Sequence, residues 1–457
     1  MFSVREAFGW LSAARLVGDG AVRVAEVCTD TRAIRPGCLF VALRGDRFDA
    51  HDFVGQALQG GAAAVLAERW VPAMKPPVLL VSDSRRALGE IAAGWRARFS
   101  MPLIAVTGSN GKTTVKEMLS AILAARFGEE ARLATAGNLN NEIGVPLTLF
   151  RLGAEHRAAV LELGMNRPGE IAWLTRIARP TVALVNNAQR EHQEFMLTVE
   201  ATARENGAAI GGLAADGIAV YPGDDVEHAP IWRALGAGRR CVEFGLASGL
   251  EVSAAPDARP EGFEMRVGAA AVQVRMAIGG VHNVRNALAA AACAHAIGID
   301  APTIAEGLAR FRPVRGRLAR LNAAQGATLL DDSYNANPDS VRAAIDVLRE
   351  CAPPRVLVLG DMGEVGENGP QYHREVGQYA AQCGLEHLLA LGEAARDTVA
   401  AFGPGGEHFE DVDALVGRAR ALAQAPATVL VKGSRFMRME RVVAGLVRRG
   451  DAPAQEH

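Results

Sequence analysis

Residues Thr107-Gly108-Ser109-Asn110-Gly111-Lys112-Thr113-Thr114 follow the apolar run Leu103-Ile104-Ala105-Val106 and lead into Val115-Lys116-Glu117-Met118-Leu119, which has helical character. A strand, a glycine-rich turn and a helix start in that order make a phosphate cradle. A triphosphate is held by backbone N–H groups that side chains would otherwise screen, and Gly108 and Gly111 leave that room. Lys112 offers a mobile ammonium to the outer phosphates, and the Thr113 hydroxyl suits a magnesium ion bridging them. Gly108, Ser109, Asn110, Gly111, Lys112, Thr113 and Thr114 are therefore the expected nucleotide-binding residues, with ATP and Mg2+ as the ligands. The spacing departs from the usual one: only Ser109 and Asn110 separate the first glycine from Gly111-Lys112, and Val106 stands where the first glycine is expected.

A chain of 457 residues is too long for one core and suits about three domains of ordinary size. Its 49% hydrophobic and 22% charged residues are those of a globular protein. The net charge of -2, with dispersed basic residues, lacks the footprint of a nucleic-acid binder. Lysine is scarce: Lys75, Lys112, Lys116 and Lys432 are the only four among 49 Lys and Arg, which draws attention to each. Six cysteines without CxxC or CxxH spacing point to a reducing compartment rather than a metal or redox site. Met1-Phe2-Ser3-Val4-Arg5-Glu6 lacks the basic region and apolar core of a signal peptide, and the alanine-rich stretch Ala287 to Ile299 is too short to span a bilayer. The expectation is a cytoplasmic, soluble protein, not membrane-embedded and acting as a monomer.

Three stretches of different character divide the chain. Over 1–99, short apolar runs at Cys38 to Leu43, Ala62 to Leu66 and Val78 to Val81 alternate with helical or turn-like segments, predicting a small α/β domain. Over 100–313, continuous apolar runs at Leu103 to Val106, Ala158 to Leu161 and Val182 to Val185 predict a parallel sheet covered by helices. The alternating stretches Phe263 to Val267 and Val272 to Met276 suggest a β-rich insertion at its side, within 218–278. Over 314–457, three strands ending in Gly360, Gly392 and Gly433 alternate with helical patterns, as in a doubly wound nucleotide-binding fold. The expected class is thus α/β in three domains: a central P-loop, parallel-sheet, ATPase-like unit flanked by a small α/β unit and a Rossmann-like unit.

The loop alone leaves kinases, motor ATPases and ligases open. Further strings narrow the choice: Gly137-Asn138-Leu139-Asn140-Asn141-Glu142, Leu161-Glu162-Leu163-Gly164-Met165-Asn166, Asn186-Asn187-Ala188 with His192, and Gly280-Val281-His282-Asn283-Val284-Arg285-Asn286. Asp331-Asp332-Ser333-Tyr334-Asn335-Ala336-Asn337-Pro338, Leu359-Gly360-Asp361-Met362-Gly363-Glu364 and Lys432-Gly433-Ser434-Arg435 complete the set. In this order and three-part layout the chain resembles the ATP-dependent Mur ligases of bacterial cell-wall synthesis, along nearly its whole length. The resemblance is strongest to the member that joins D-alanyl-D-alanine to UDP-N-acetylmuramoyl-tripeptide through an acyl phosphate. It implies an acid–amino-acid ligase of cytoplasmic peptidoglycan precursor synthesis, serving cell shape and division, with those two small-molecule substrates. Rival readings are a folylpolyglutamate synthase, a Mur ligase adding one amino acid, a P-loop phosphotransferase, or a nucleotide-binding regulator without turnover.

The resemblance also suggests roles. Lys112, Glu162, His192 and Lys432 are the catalytic candidates, with Thr113, Glu162 and His192 as metal ligands. Asn283 and Asn286, three apart on a helix, suit adenine, and Arg317 and Asp332 suit phosphate and ribose, so that closure of the third domain completes the site. Thr31, Arg32, Gly45, Asp49 and His51 resemble the grip on the UDP-sugar. Asn138, Asn140, Asn141, Asn335, Asn337 and Arg435 are the remaining substrate candidates. One departure stands out: the family's carbamylated lysine would fall at Asn206, and no lysine lies between Lys116 and Lys432. The expectation is that Glu205 or the Asn206 amide substitutes, or that one ion is held more weakly.

Overall fold

The computed structural model describes residues 1–45 and 48–447. Three sheets succeed one another along the chain. The first has five strands, in the order Arg15–Val17, Val78–Leu80, Ala64–Ala67, Cys38–Val41 and Glu26–Cys28, all parallel except the first pair. Beside it, Phe2–Ser3 and Arg23–Val24 form a small antiparallel ribbon. Helix Ser84–Arg96, N-capped by Asp83, joins this unit to the next, and its Leu88, Ile91 and Trp95 share a core with Ile171, Leu174 and Ile177 of helix Glu170–Ala178.

The central sheet has nine strands. Leu103–Thr107 lies between Ala158–Glu162 and Val182–Val185, and the sheet ends at Arg132–Ala134 on one side. Strands of this kind are apolar at every position because both faces are covered. Ile104, Val106, Val160 and Leu184 pack against helices Lys112–Phe127 and Val281–Ala296. Ala105, Leu161 and Val185 face the opposite way, against Ile171, Ala203 and Ile210. The stretch 218–278 differs from the expected insertion: Ile218–Pro222, Arg240–Gly245 and Val252–Ala254 continue the same parallel sheet. Only Phe263–Val267 and Ala270–Val274 run antiparallel, and at this edge one face is exposed, which produces the alternation.

The third sheet runs Ala319–Asn322, Thr328–Asp332, Thr428–Lys432, Arg355–Gly360, His387–Leu391 and Gly406–Phe409, parallel except for its first pair. Its two faces bury against different helices, so the doubly wound layering is present: Val341, Ile345 and Val376 on one side, Leu415, Val442 and Leu446 on the other. The strand that comes last in the chain, Thr428–Lys432, inserts between Thr328–Asp332 and Arg355–Gly360, which brings Lys432 level with Asp332.

All six cysteines are free, and among the described residues no helix is long and apolar enough to cross a membrane. The alanine-rich stretch forms the buried core helix Val281–Ala296, whose small side chains allow close packing on helix Lys112–Phe127. Helix Ala301–Arg310 packs there as well, and a Cβ at Gly307 would come 2.4 Å from the Ile122 Cα. Gly307→Ala should therefore lower stability by about 1–3 kcal/mol despite better helix propensity, since backbone cannot yield as a side chain does. The check is a lower urea midpoint; an unchanged or raised midpoint would mean the two helices are free to separate.

Candidate active site

The glycine-rich turn sits at the carboxyl end of Leu103–Thr107, the usual position for a ligand crevice in an open parallel sheet. Gly108 (φ 130°) and Gly111 (φ 81°) are both left-handed. A Cβ on Gly111 would lie 2.4 Å from Asn286 Oδ1 and 2.8 Å from Asn186 Nδ2, so both backbone angle and space require glycine there. A ring of amides fixes the turn. Asn186 Nδ2 donates to the Asn110 and Asn286 oxygens, Asn187 Oδ1 accepts the Asn110 N–H, and Asn110 Nδ2 donates to Gln189 Oε1. Ser109 Oγ accepts the Gln189 N–H. The helix Lys112–Phe127 begins at Gly111 without a side-chain cap. Its first N–H groups therefore have no partner within the helix and carry its positive dipole end.

These groups open into a cavity of about 1020 Å³. Clefts for one small molecule span roughly 300–1,000 Å³, so this one lies at the upper end of that range. Ser109 to Thr114, Glu162, His192, Asn283 and Asn286 line it, as do Asn138, Asn140 and Asn141. From the third sheet's unit come Arg317, Asp332, Asn335, Asn337 and Lys432. Gly108 lies just behind the wall.

Lys112 Nζ donates to the carbonyls of Gly108 and Ser109 and, at 2.9 Å, to Glu191 Oε1. Glu162 ends its strand level with Val106 and is 3% exposed; Asn140 donates to its Oε1 and nothing meets its Oε2. Glu191 Oε2 is likewise buried without a partner. Burying carboxylate oxygens unpaired is costly, so this chemistry fits a divalent cation. No ready-made cluster of three acidic, histidine or cysteine residues exists among the described residues. Magnesium is commonly bound by one or two carboxylates plus substrate phosphates, which suits such a pocket.

His192 adopts a left-handed backbone (φ 50°), as does Glu364 (φ 57°) across the cleft. Its Nδ1 lies 2.6 Å from Glu364 Oε2, and this contact holds the Glu364 carboxyl below its ordinary range. Strained backbone on both partners requires surrounding structure to impose it, here the meeting of two domains. Asn283 and Asn286 have their amides engaged: Asn286 Nδ2 donates to Asn283 Oδ1, and Asn283 Nδ2 to the Gly279 carbonyl. They brace the turn through Asn186 while lining the cavity. Burial and the nearby Lys432 ammonium push His282 down to about 4, leaving a neutral ring at that wall.

Three further contacts tie the third unit to the turn and the segment beside it, and a fourth braces the third unit itself. Arg317 Nη2 donates to Thr113 Oγ1 at 3.2 Å while stacking on Tyr334. Asn110 and Asn337 exchange amide hydrogen bonds, Asn337 also capping helix Pro338–Arg349. Arg190 forms ion pairs with Asp339 and Glu375, both at 2.6 Å, and stacks on Tyr372. Burial would lower the Arg190 pKa, but these two carboxylates more than offset it. Lys432 forms a buried ion pair with Asp332 and donates to the Asn335 carbonyl.

Other candidates lie elsewhere. Arg435 is on the rim, paired with Glu440 and 5.7 Å from the Tyr334 ring, outside the cavity lining. Thr31 and Arg32 form an exposed turn in which Arg32 pairs with Asp30. His51 is buried, with Nδ1 against Asp49 and Nε2 accepting the Glu68 N–H. Both ring nitrogens are used, so its imidazole braces the loop and presents no group to a ligand, contrary to the expected sugar contact. Gly45 pairs with Phe48, while Asp46 and Arg47 lie outside the described residues. Arg85, not singled out from sequence, links this loop to the cavity by donating to the Arg44 carbonyl and pairing with Glu142. The expected substitutes near position 206 are occupied. Both Glu205 oxygens accept N–H groups at the start of helix Glu170–Ala178, and Asn206 Oδ1 accepts the Gly108 N–H.

Comparison with known proteins agrees with this layout. Family models described as Mur ligase family, catalytic domain; Mur ligase middle domain; and Mur ligase, glutamate ligase domain match residues 23–96, 106–294 and 316–435. The UDP-N-acetylmuramoyl-tripeptide--D-alanyl-D-alanine ligase of Escherichia coli (strain K12) is 43% identical, covering 93% of this chain and 94% of its own. MurF from Acinetobacter baumannii superposes with a TM-score of 0.89 at 33% identity, over 97% of this chain and 98% of that one. MurF ligase from Thermotoga maritima, crystallised in complex with ADP, gives 0.81 at 28% identity, over 92% and 96%. A chain matched over nearly its whole length, domain by domain, belongs to the Mur ligase family.

Proposed function

We propose that this Mur ligase couples ATP hydrolysis to amide formation between UDP-N-acetylmuramoyl-tripeptide and D-alanyl-D-alanine, releasing ADP and phosphate, in cytoplasmic peptidoglycan precursor synthesis. The observation that carries the reading is the uncapped start of helix Lys112–Phe127, opening into a cavity of about 1020 Å³. The relative from Escherichia coli bears the name of that reaction, which supports this choice over a folate ligase or a single-residue Mur ligase. The functional units are 1–99 for the UDP-sugar, 100–313 for ATP and 314–457 for closure and the dipeptide.

A carboxylate does not react with an amine in water because its leaving group is poor. In the proposed sequence the tripeptide carboxylate attacks the γ-phosphorus and ADP leaves; the dipeptide amine then attacks the acyl carbon and phosphate leaves. Lys112 and the helix N–H groups neutralise the phosphates while charge moves onto the leaving oxygen. Thr113, Glu162 and His192 would hold magnesium, which supplies further charge neutralisation to the phosphates. Arg317, reaching over Thr113, adds a cation from the third domain. The buried Lys432–Asp332 pair fixes the Asn335 loop beside it, where the dipeptide is expected to bind. Arg85, between the 44–49 loop and the cavity, stands on the path from sugar to phosphate. These groups act by orienting reactants and by pre-arranged charge.

Phosphate release should require both UDP-tripeptide and D-alanyl-D-alanine. Release without the dipeptide would indicate a phosphotransferase or ATPase instead. Lys112→Ala should abolish turnover with the fold intact by circular dichroism, and appreciable acyl-phosphate formation in that variant would remove Lys112 from the first step. Arg190→Gln, which breaks the ion pairs to Asp339 and Glu375, should open the third domain. A misplacement of this kind costs on the order of 10²-fold in kcat. X-ray scattering should register a larger radius of gyration alongside the lost rate; unchanged values of both would mean that the remaining contacts suffice for closure.

A further inference from the structure

Glu191 is the one buried carboxylate of the cavity that sequence reasoning left without a role, and its surroundings are specific. It is 8% exposed and lines the cavity beside Lys112 and His192. Its Oε1 accepts from Lys112 Nζ at 2.9 Å and lies 3.6 Å from His192 Nε2, while its Oε2 is buried with no partner. Lys112 cannot satisfy that second oxygen. An ammonium has three donors, and those of Lys112 go to Gly108 O, Ser109 O and Glu191 Oε1.

An open carboxylate oxygen in a pocket built for phosphates repels the ligand unless a cation lies between them. The two groups expected to replace the family's lysine do not offer an alternative: Glu205 is spent on the Gly169 and Ile171 N–H groups, and Asn206 Oδ1 on the Gly108 N–H. We propose that Glu191 is a ligand, through Oε2, of a divalent cation carried by the nucleotide, shared with the Nε2 of the adjacent His192. Glu191 thereby links two cations, the metal on one oxygen and the Lys112 ammonium on the other. This supplies the anionic ligand that the neutral Asn206 does not.

The assignment rests on the nucleotide reading, and its test separates the two. Manganese is the probe, titrated by electron paramagnetic resonance into the full chain with a non-hydrolysable ATP analogue, for wild type, Glu191→Gln and Glu191→Asp. Analogue affinity is measured in parallel by calorimetry with manganese and with chelator. Glu191→Gln keeps the shape and an acceptor for Lys112 but loses the charge. It should weaken manganese binding to the nucleotide-loaded chain by about tenfold or more, while analogue affinity in chelator is kept or raised because the uncompensated carboxylate is gone; Glu191→Asp should recover most of the lost manganese binding. Wild-type manganese binding in Glu191→Gln would overturn the proposal and leave Glu191 a partner of Lys112 alone. So would an equal change in analogue affinity with and without metal. Failure of the wild-type chain to bind the analogue at all would bring down the nucleotide reading itself, and this assignment with it.

Discussion

The first turn of helix Lys112–Phe127 has N–H groups with no partner in the helix and no side-chain cap, and much of the surrounding structure serves to keep that end open but ordered. A bare helix start would fray or be capped by the nearest polar side chain. Here the neighbouring polar side chains are occupied with one another. Asn186, Asn187, Gln189, Asn283 and Asn286 form an amide network around Ser109 and Asn110. A connected network of this type restrains the turn, and it leaves the helix dipole as an unanswered positive end facing a cavity. The two left-handed glycines let the backbone turn tightly enough to bring that end beside the network.

Closure of the third domain follows from the same economy of groups. Asn337 caps its own helix and still exchanges hydrogen bonds with Asn110, so the loop before helix Pro338–Arg349 is registered directly on the phosphate turn. Arg190 reads the first turn of the same helix through Asp339, from the segment whose Gln189 holds Asn110. His192, two residues further, meets Glu364 of a second loop. Three successive contacts from a single strand-following segment thus fix both the turn and the facing domain, so movement of one is felt by the other. An assembly of this kind couples the binding of ligand in the cleft to the position of the domain above it.

The phosphate turn and the strands of the three sheets were legible because their signals are local: a glycine pattern between an apolar run and a helix, and runs too uniformly apolar to face water. The β-rich stretch was read too broadly because an edge with one exposed face alternates whether it belongs to an insertion or to a continuing sheet. His51 looked like a surface contact in a charged loop, yet the Glu68 N–H, 17 residues away, takes up its second nitrogen. Glu191 and Arg85 were passed over for the converse reason. Each is an ordinary charge in sequence, and becomes distinctive only when Lys112, 79 residues away, or Glu142, 57 residues away, is brought against it.

The scarcity of lysine gains a physical meaning in this light. Lys75 is exposed, but Lys112, Lys116 and Lys432 are buried or nearly so, and each meets a carboxylate: Glu191, Glu117 and Asp332. Arginine carries nearly all of the remaining positive charge. A guanidinium is a planar fork of five donors that spreads its charge, whereas an ammonium is a compact point charge that fits between two carbonyls and one carboxylate. Enclosing such a charge is unfavourable unless its donors are met: at Lys112 two backbone carbonyls and one acid take all three, and at Lys432 one acid and one backbone carbonyl take two. Such pairs are poor sources of stability but strong determinants of geometry, since a shift of either partner leaves a charge buried and unpaired. Lys432 fixes the strand end of one domain and Lys112 the phosphate turn of another, so the two enclosed ammonium groups hold opposite walls of the same cleft.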